Sequence, residues 1–326
     1  MRRSYHSISS LATELRVSRV ARVTGLDRTG VEVACAVRPQ GHVLQVCNGK
    51  GWTWEAAQWS ALFEAAELDA AERPGLEWTM ESDGEHDERW SSSQLGGATG
   101  GTIAFVEARR LGGRGHVKVP LHAVACAPDL PGPVTVSWSS NAMGAHFSRD
   151  RALKHALDEA WERHALAQVL PNGWTPRAVA GRRLAVDVPL VQAGFELAVF
   201  DLSLGEGPYV AGALLFDREE GPVPLAAGYA ARDRLGDAID AAVLEAAQSR
   251  LTDIHAARED VVTKPGPREV GAFRAEIAGI VTTAPRLRAF SAWWKDHPAA
   301  FVELGTHEGI HVVKVLSPAL EVSELL

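Results

Sequence analysis

The sequence predicts a mixed α/β fold with internal repetition, on three observations. Stretches with strand patterning precede long helical stretches three times, an order that marks mixed α/β proteins. The three helices share one grammar, seen in "SALFEAAE" (Ser60 to Glu67), "ALDEAWE" (Ala156 to Glu162) and "AVLEAAQ" (Ala242 to Gln248). No low-complexity linker interrupts the 326 residues, so the expectation is a single domain over 17–326 preceded by a lead-in at 1–16.

The elements follow in order. Residues 1–16 predict a short helix. From Val17 to Pro39 apolar and polar residues alternate around the turn signals Gly25 and Gly30, which predicts two or three strands. "LQVCNGKGWTW" predicts a strand and a glycine turn at Gly49-Lys50-Gly51, then a long helix with Thr53 as its N-cap. Residues 80–101 are polar and glycine-rich and predict a surface loop. Two strands are expected on either side of "DLPGP" within 117–140, then a loop, "SSNAMGAHFS", and a second helix from Arg149 to Leu170. "RRLAVDVP", "FELAVFDLS" and "YVAGALLFD" predict strands, and a third helix runs from Leu235 to about Ala257. A proline-containing connector at 262–270, a helical stretch around Trp293 and Trp294, and the strand "HVVKVL" complete the chain.

Composition narrows the class. A formal net charge of −8 argues against a nucleic-acid surface. Cys35, Cys47 and Cys126 have neither metal-site nor disulfide-framework spacing and are expected to be buried. No apolar run reaches the ~18 residues of a membrane span, and the basic N-terminus lacks the apolar core of a signal peptide. The expectation is a cytoplasmic protein without a membrane segment. Most of the ten tryptophans are expected in the core.

The three helices carry the chemistry. At ~100° per residue, Ser60, Glu64 and Glu67 share a stripe ~60° wide. Trp59, Ala61, Leu62, Phe63, Ala65 and Ala66 cover the rest, and a helix apolar nearly all round is a buried one. In the third helix Glu245 and Gln248 stand in a similar apolar run, and Glu159 borders the apolar face of the second. A buried, unpartnered carboxylate costs roughly several kcal/mol. Two readings stay open: each Glu pairs with a cation such as Arg19, Arg163, Arg250 or Arg258, or the carboxylates converge on bound cations. Hard oxygen ligands suit Mg²⁺, which brings phosphate oxygens with it, and helices that project Glu at i and i+3 recur where metals sit between helices. Threefold recurrence favours convergence. Lys50 between two glycines then suits a phosphate contact, although the G-x-x-x-x-G-K-[ST] pattern is absent.

"SRVARVTGLDRTGVEV…AVRP…GKG…EAAQWSALFEAAE", "SSN…ALKHALDEAWERHA", "AVLEAAQSRLTDIHAARED" and "VVKVLSPALE" resemble YcaO-domain proteins in order and spacing over residues 17–322. "VTGLDR" and Leu68 point to the compact kind found beside TfuA-like proteins. The resemblance implies a YcaO-type α/β fold of mixed sheets and packed helices that binds ATP with Mg²⁺ and activates a peptide backbone amide by O-phosphorylation. It places Glu64, Glu67, Glu159, Glu162, Glu245 and Gln248 at the Mg²⁺–nucleotide site, with the five glutamates as metal ligands. Arg19, Lys50, Ser60 and Arg258 would contact nucleotide or phosphates. The partners it implies are a precursor peptide and a TfuA-like or other peptide-recognition protein; a homodimer stays open.

Thioamidation is the first expectation, with azoline or amidine formation as the alternative and a non-catalytic accessory subunit as the reading from another class. Relatives usually read S-N-G-L-A-x-G where this chain has Ser140-Asn141-Ala142-Met143-Gly144-Ala145-His146, which puts the loop backbone and the product type in question. His146 is expected as a solvent-facing loop residue, and His307 and His311 lie on a strand rather than in a metal site.

Overall fold

A computed structural model describes residues 7–322 apart from 85, 114, 187–193, 220, 256–265, 286–291 and 308. Helix α1 (Ile8–Glu14) starts at Ser7, whose hydroxyl accepts from the Ser10 N–H at 3.0 Å. Strands β1 (Arg19–Arg22), β2 (Glu32–Val37) and β3 (Val46–Gly51) form the first sheet. Helix α2 (Trp54–Glu72) follows at once, capped by the predicted Thr53, which accepts from the Ala56 N–H at 3.2 Å.

The second sheet has the order β4 (Thr79–Ser82), β5 (Thr102–Arg110), β12 (Ala300–His307), β13 (Ile310–Leu316) and β7 (Met143–His146), with β6 (His116–Pro120) also on β5. Helix α3 (Arg149–Val169) leaves β7. The third sheet is β8 (Arg183–Leu184), β9 (Phe195–Asp201), β10 (Tyr209–Asp217) and β11 (Leu225–Arg232), after which come α4 (Leu235–Ile254) and α5 (Pro267–Ala278). Ladders between these strands are antiparallel.

The helices are wedges between sheets. Helix α2 touches β2 and β3 on one side and β7, β12 and β13 on the other; α3 touches β7 and β13, and β11; α4 touches β10 and β11, and β3. Each of the three sheets is thus shared by two of the three helices, and the ring closes. Each wedge seats on a strand glycine. A Cβ on Gly49 would lie 2.1 Å from the Ala61 nitrogen and 2.3 Å from the Ala57 oxygen. On Gly144 it would lie 2.2 Å from the Ala152 oxygen and 3.0 Å from the Ala156 nitrogen, and on Gly228 2.2 Å from the Ala246 nitrogen and 2.3 Å from the Ala242 oxygen. Glycine on the strand and alanines on the helix let the two backbones meet, which is the physical content of the repeated alanines.

Several expectations are corrected. Gly49-Lys50-Gly51 is not a turn but the end of β3, with both glycines against α2. The loop expected at 80–101 is anchored: buried Asp83 accepts from the Ser92 N–H at 2.9 Å and the Gly100 N–H at 2.7 Å, and the Ser92 hydroxyl meets that of Thr135 at 2.6 Å. Polar side chains that satisfy one another can be buried. Only β6 forms within 117–140, and it lies before "DLPGP"; the expected strand between that stretch and residue 140 is absent from the described residues. Strand β5 was not foreseen, and "AMGAH", expected as loop, supplies β7. Residues 262–265 lie outside the described residues, and Pro267 opens α5 at a position where its missing N–H is not needed. "RRLAVDVP" pairs only over Arg183–Leu184, and the helical stretch at Trp293 is a single 3-10 turn, Trp293–Lys295, its first indole buried 5.7 Å from the Trp161 ring.

Candidate functional site

The wedge geometry brings the acidic faces together. Glu64 and Glu67 stand three and six residues beyond Ala61, the residue seated on Gly49; Glu159 and Glu162 stand at the same offsets from Ala156 on Gly144. In α4 the seat is Ala242 and Ala246, so Glu245 and Gln248 stand one turn nearer their glycine. Two helices share one register and the third is displaced by a turn.

The electrostatics show that the carboxylates feel one another. Burial, then Glu159 and Glu64, push Glu67 well above the usual carboxylate range, against the pull of the Ala145 N–H and Lys314. Glu159 is raised by burial, which outweighs Arg163 and Lys314. Glu162 is raised to about 8 by burial, with Glu245 and Glu159 adding to it. Burial also acts to raise Glu245, but Lys50 and then Arg163 and Arg232 hold it below the ordinary value. One field links α2, α3 and α4.

Cations reach the same place. Lys50 Nζ lies 2.8 Å from Glu245 Oε2, and Arg163 Nη2 lies 3.2 Å from Glu159 Oε1. Pairing with Arg163 is therefore real for Glu159, as one of the two open readings required, yet it leaves the carboxylates clustered rather than scattered. Arg250 serves no member of this cluster: it is buried against Asp217 at 2.8 Å and Asp27 at 3.1 Å. Arg19 is exposed on β1 and bears electrostatically on Cys35, as Glu64 does. Ser60 is half-buried one turn before Glu64. Arg258 lies outside the described residues. His146 is not a solvent-facing loop residue: it lies in β7, its ring centroid 5.5 Å from that of Phe63, and its Nδ1 accepts from the Ser148 N–H at 3.0 Å.

Among the described residues two buried oxygens beside the cluster, Gln248 Oε1 and Asn48 Oδ1, have no hydrogen-bond partner. The Asn48 amide donates to Thr252 Oγ1 at 3.1 Å, and that hydroxyl donates to the Gln248 carbonyl at 2.9 Å, so both residues are held at the β3–α4 junction. Among the described residues no three His, Cys, Asp or Glu side chains are arranged to hold a metal by themselves. Carboxylate oxygens are hard donors, the chemistry that suits divalent cations such as Mg²⁺ that take further oxygen ligands from phosphates. Lys314 and Arg232 were missed as members of the site. The signal for Lys314 was a lysine inside the apolar strand "HVVKVL".

Three sheets wedged apart by three acidic helices, with lysine and arginine at the seam, define a protein with a buried carboxylate cluster flanked by cations. The family model described as YcaO cyclodehydratase, ATP- and Mg²⁺-binding, matches residues 48–321, and the chain belongs to the YcaO family. It is 31% identical over 157 residues to an uncharacterized protein of Methanothermobacter thermautotrophicus, covering 46% of this chain and 41% of that one. It is 32% identical over 125 residues to an uncharacterized protein in the tfuA 3′ region of Rhizobium leguminosarum bv. trifolii, covering 38% of this chain and 24% of that one. The chain thus spans less than half the length of these relatives.

The fold is similar to that of YcaO from Methanopyrus kandleri bound with AMPPCP and Mg²⁺, with a TM-score of 0.73, 21% identity, and coverage of 95% of this chain and 88% of that one. It is also similar to a heterocyclase in complex with substrate and cofactor, with a TM-score of 0.74, 15% identity, and coverage of 98% and 53%. A chain of the E. coli microcin synthetase McbBCD complex superposes with a TM-score of 0.66 at 12% identity, covering 92% of this chain and 88% of that one. At these identities the likeness shows the fold. No described helix is long and apolar enough to cross a membrane.

Proposed function

We propose that this single domain activates a peptide backbone amide with ATP and Mg²⁺, and that the acidic seat is its nucleotide site. The observation that carries this reading is the cluster Glu67, Glu159 and Glu162, whose carboxyls all lie above their ordinary range because burial and mutual repulsion outweigh the cations present. Such a cluster is stabilised by added positive charge, and the family binds ATP and Mg²⁺.

Glu64, Glu67, Glu159, Glu162 and Glu245 would hold the divalent ions, and Gln248 offers beside them a side-chain oxygen with no partner among the described residues. Lys50 and Arg163, now on Glu245 and Glu159, stand where phosphate oxygens can replace those carboxylates as partners. Ser60 stands one turn before Glu64 on α2 and Arg19 opens β1, while Arg258 is assigned by resemblance alone. Bound Mg²⁺·ATP would supply the phosphoryl group that turns the amide oxygen into a leaving group. The side chains at the seat orient that phosphoryl group and offset its developing charge.

Thioamidation with a TfuA-like partner is the reaction we favour, supported by "VTGLDR", Leu68 and the relative in a tfuA 3′ region. The family description favours a second reading, cyclodehydration to an azoline, with amidine closure as its variant. The precursor peptide, the partner and any second copy of the chain belong to the proposal. The test is phosphate release from ATP with candidate precursor peptides and partner, comparing wild type with Glu159→Gln. Release by wild type and its loss in the variant support the reading. Sulfur replacing oxygen in the peptide selects thioamidation, and loss of water selects ring closure. Absence of nucleotide binding and of turnover with every partner leaves an accessory subunit.

A further inference from the structure

Lys314 sits on β13, 3% exposed, flanked by Val312, Val313, Val315 and Leu316. Its side chain extends toward the loop before β7, where Nζ donates to the Ser139 carbonyl at 2.5 Å and to the Asn141 carbonyl at 2.6 Å. The Trp138 ring centroid lies 5.7 Å from the same nitrogen. Carbonyl dipoles and a ring face thus surround the ammonium directly. Burial lowers Lys314 to about 8, while Glu159 on α3 and Glu67 on α2 act through space to keep it charged.

The loop it holds is strained. Ala142 has φ +60, a left-handed conformation that costs an L-residue other than glycine roughly 1–2 kcal/mol. Two further contacts fasten this turn to β13: the Val315 N–H donates to the Ala142 carbonyl at 2.9 Å, and Met143 pairs with Lys314 itself in the β7–β13 ladder. Two residues further on, the Ala145 N–H donates to Glu67. One side chain therefore touches the turn at two carbonyls from a strand packed against both α2 and α3, the helices that carry Glu67 and Glu159, and the strand that follows the turn returns to Glu67.

We propose that Lys314 is a positioning residue, an internal counter-cation that holds the acidic seat together without divalent ions and ties it to the 139–142 turn. The proposal rests on the nucleotide reading of the seat. A buried ammonium persists when enough opposing charge surrounds it, and removing one side of such an arrangement leaves the other uncompensated. Divalent ions at the carboxylates supply the same sign of charge, so they substitute for Lys314 as compensation for Glu159 and Glu67. They do not replace its bonds to Ser139 and Asn141.

The test is thermal unfolding of wild type, Lys314→Met, Glu159→Gln and the double variant, each with and without Mg²⁺ and a non-hydrolysable ATP analogue. Without ligand, Lys314→Met lowers Tm by roughly 5 °C or more, and by less than half as much in the Glu159→Gln background. Mg²⁺·nucleotide raises the Tm of Lys314→Met by more than that of wild type, and Lys314→Arg, which keeps the charge, recovers part of the ligand-free loss. Equal losses in both backgrounds with equal ligand shifts overturn the proposal and leave Lys314 a packing residue. If Lys314→Met alone does not fold, a folded double variant supports the proposal and an unfolded one overturns it. A wild type that shows no ligand shift contradicts the nucleotide reading, while the ligand-free comparison still decides the role of Lys314.

Discussion

Lys50 Nζ and Glu245 Oε2 lie 2.8 Å apart although 195 residues separate them in sequence. The contact exists because Gly49 and Gly51 turn toward α2 while Asn48 and Lys50, on the alternate face of β3, turn toward α4. One short strand thus ties the first acidic helix to the third. Lys50→Met should weaken Mg²⁺·nucleotide binding by roughly 10- to 100-fold, the worth of a charge-assisted hydrogen bond. Isothermal titration measures it; affinity unchanged from wild type would remove Lys50 from the site.

The glycine seats predict where a methyl group is intolerable. Gly144→Ala and Gly228→Ala each place a carbon about 2.2 Å from helix backbone, which forces strand and helix apart and should cost about 2–3 kcal/mol or more. Gly75→Ala and Gly84→Ala meet nothing within 4 Å and should stay within about 0.5 kcal/mol of wild type. Urea unfolding midpoints separate the two groups. Similar midpoints for all four would show that the helices do not rest on those strands.

Ala142 predicts a backbone preference. Its φ of +60 is open to glycine and strongly disfavoured for β-branched residues. Ala142→Gly should leave stability within about 1 kcal/mol, relief of strain offsetting lost chain entropy, and Ala142→Val should cost roughly 2–3 kcal/mol. Equal tolerance of both would mean that the turn is not left-handed.

The raised carboxyls predict a pH dependence. Glu162 titrates at about 8 in the folded protein against an ordinary 4.5, so between those values the native state binds more protons than the unfolded one. Its contribution to stability is present below 4.5 and lost as pH rises through about 8. Without divalent ions, Glu162→Gln should therefore be more stable than wild type at alkaline pH and no more stable at acidic pH. Mg²⁺·nucleotide should erase the alkaline difference. A stability gap that does not change with pH would contradict the assignment.

Much of the site was legible because its cause is local. The Ala-Glu grammar is written within single helices, and Thr53 caps where Ser/Thr before an apolar run should. What escaped notice depends on partners distant in sequence. Gly49 and Gly51 look like a turn until α2 is seen lying on them, and Asp83 looks like a loop acid until Ser92 and Gly100 are seen donating to it. Small residues in "AMGAH" carry weak strand propensity and pair because β13 presents an edge. Arg250 was indistinguishable from Arg163 as a partner for glutamate, since only the fold shows it committed to Asp27 and Asp217.

The central claim is that carboxylates from three helices form one seat. Equilibrium binding of Mg²⁺ with a non-hydrolysable ATP analogue tests it most directly, on wild type, Glu67→Gln from α2, Glu159→Gln from α3 and Glu245→Gln from α4. The account predicts saturable, Mg²⁺-dependent binding by wild type and a loss of roughly tenfold or more in each variant. Undiminished binding by any of the three variants, or none by wild type, would contradict it.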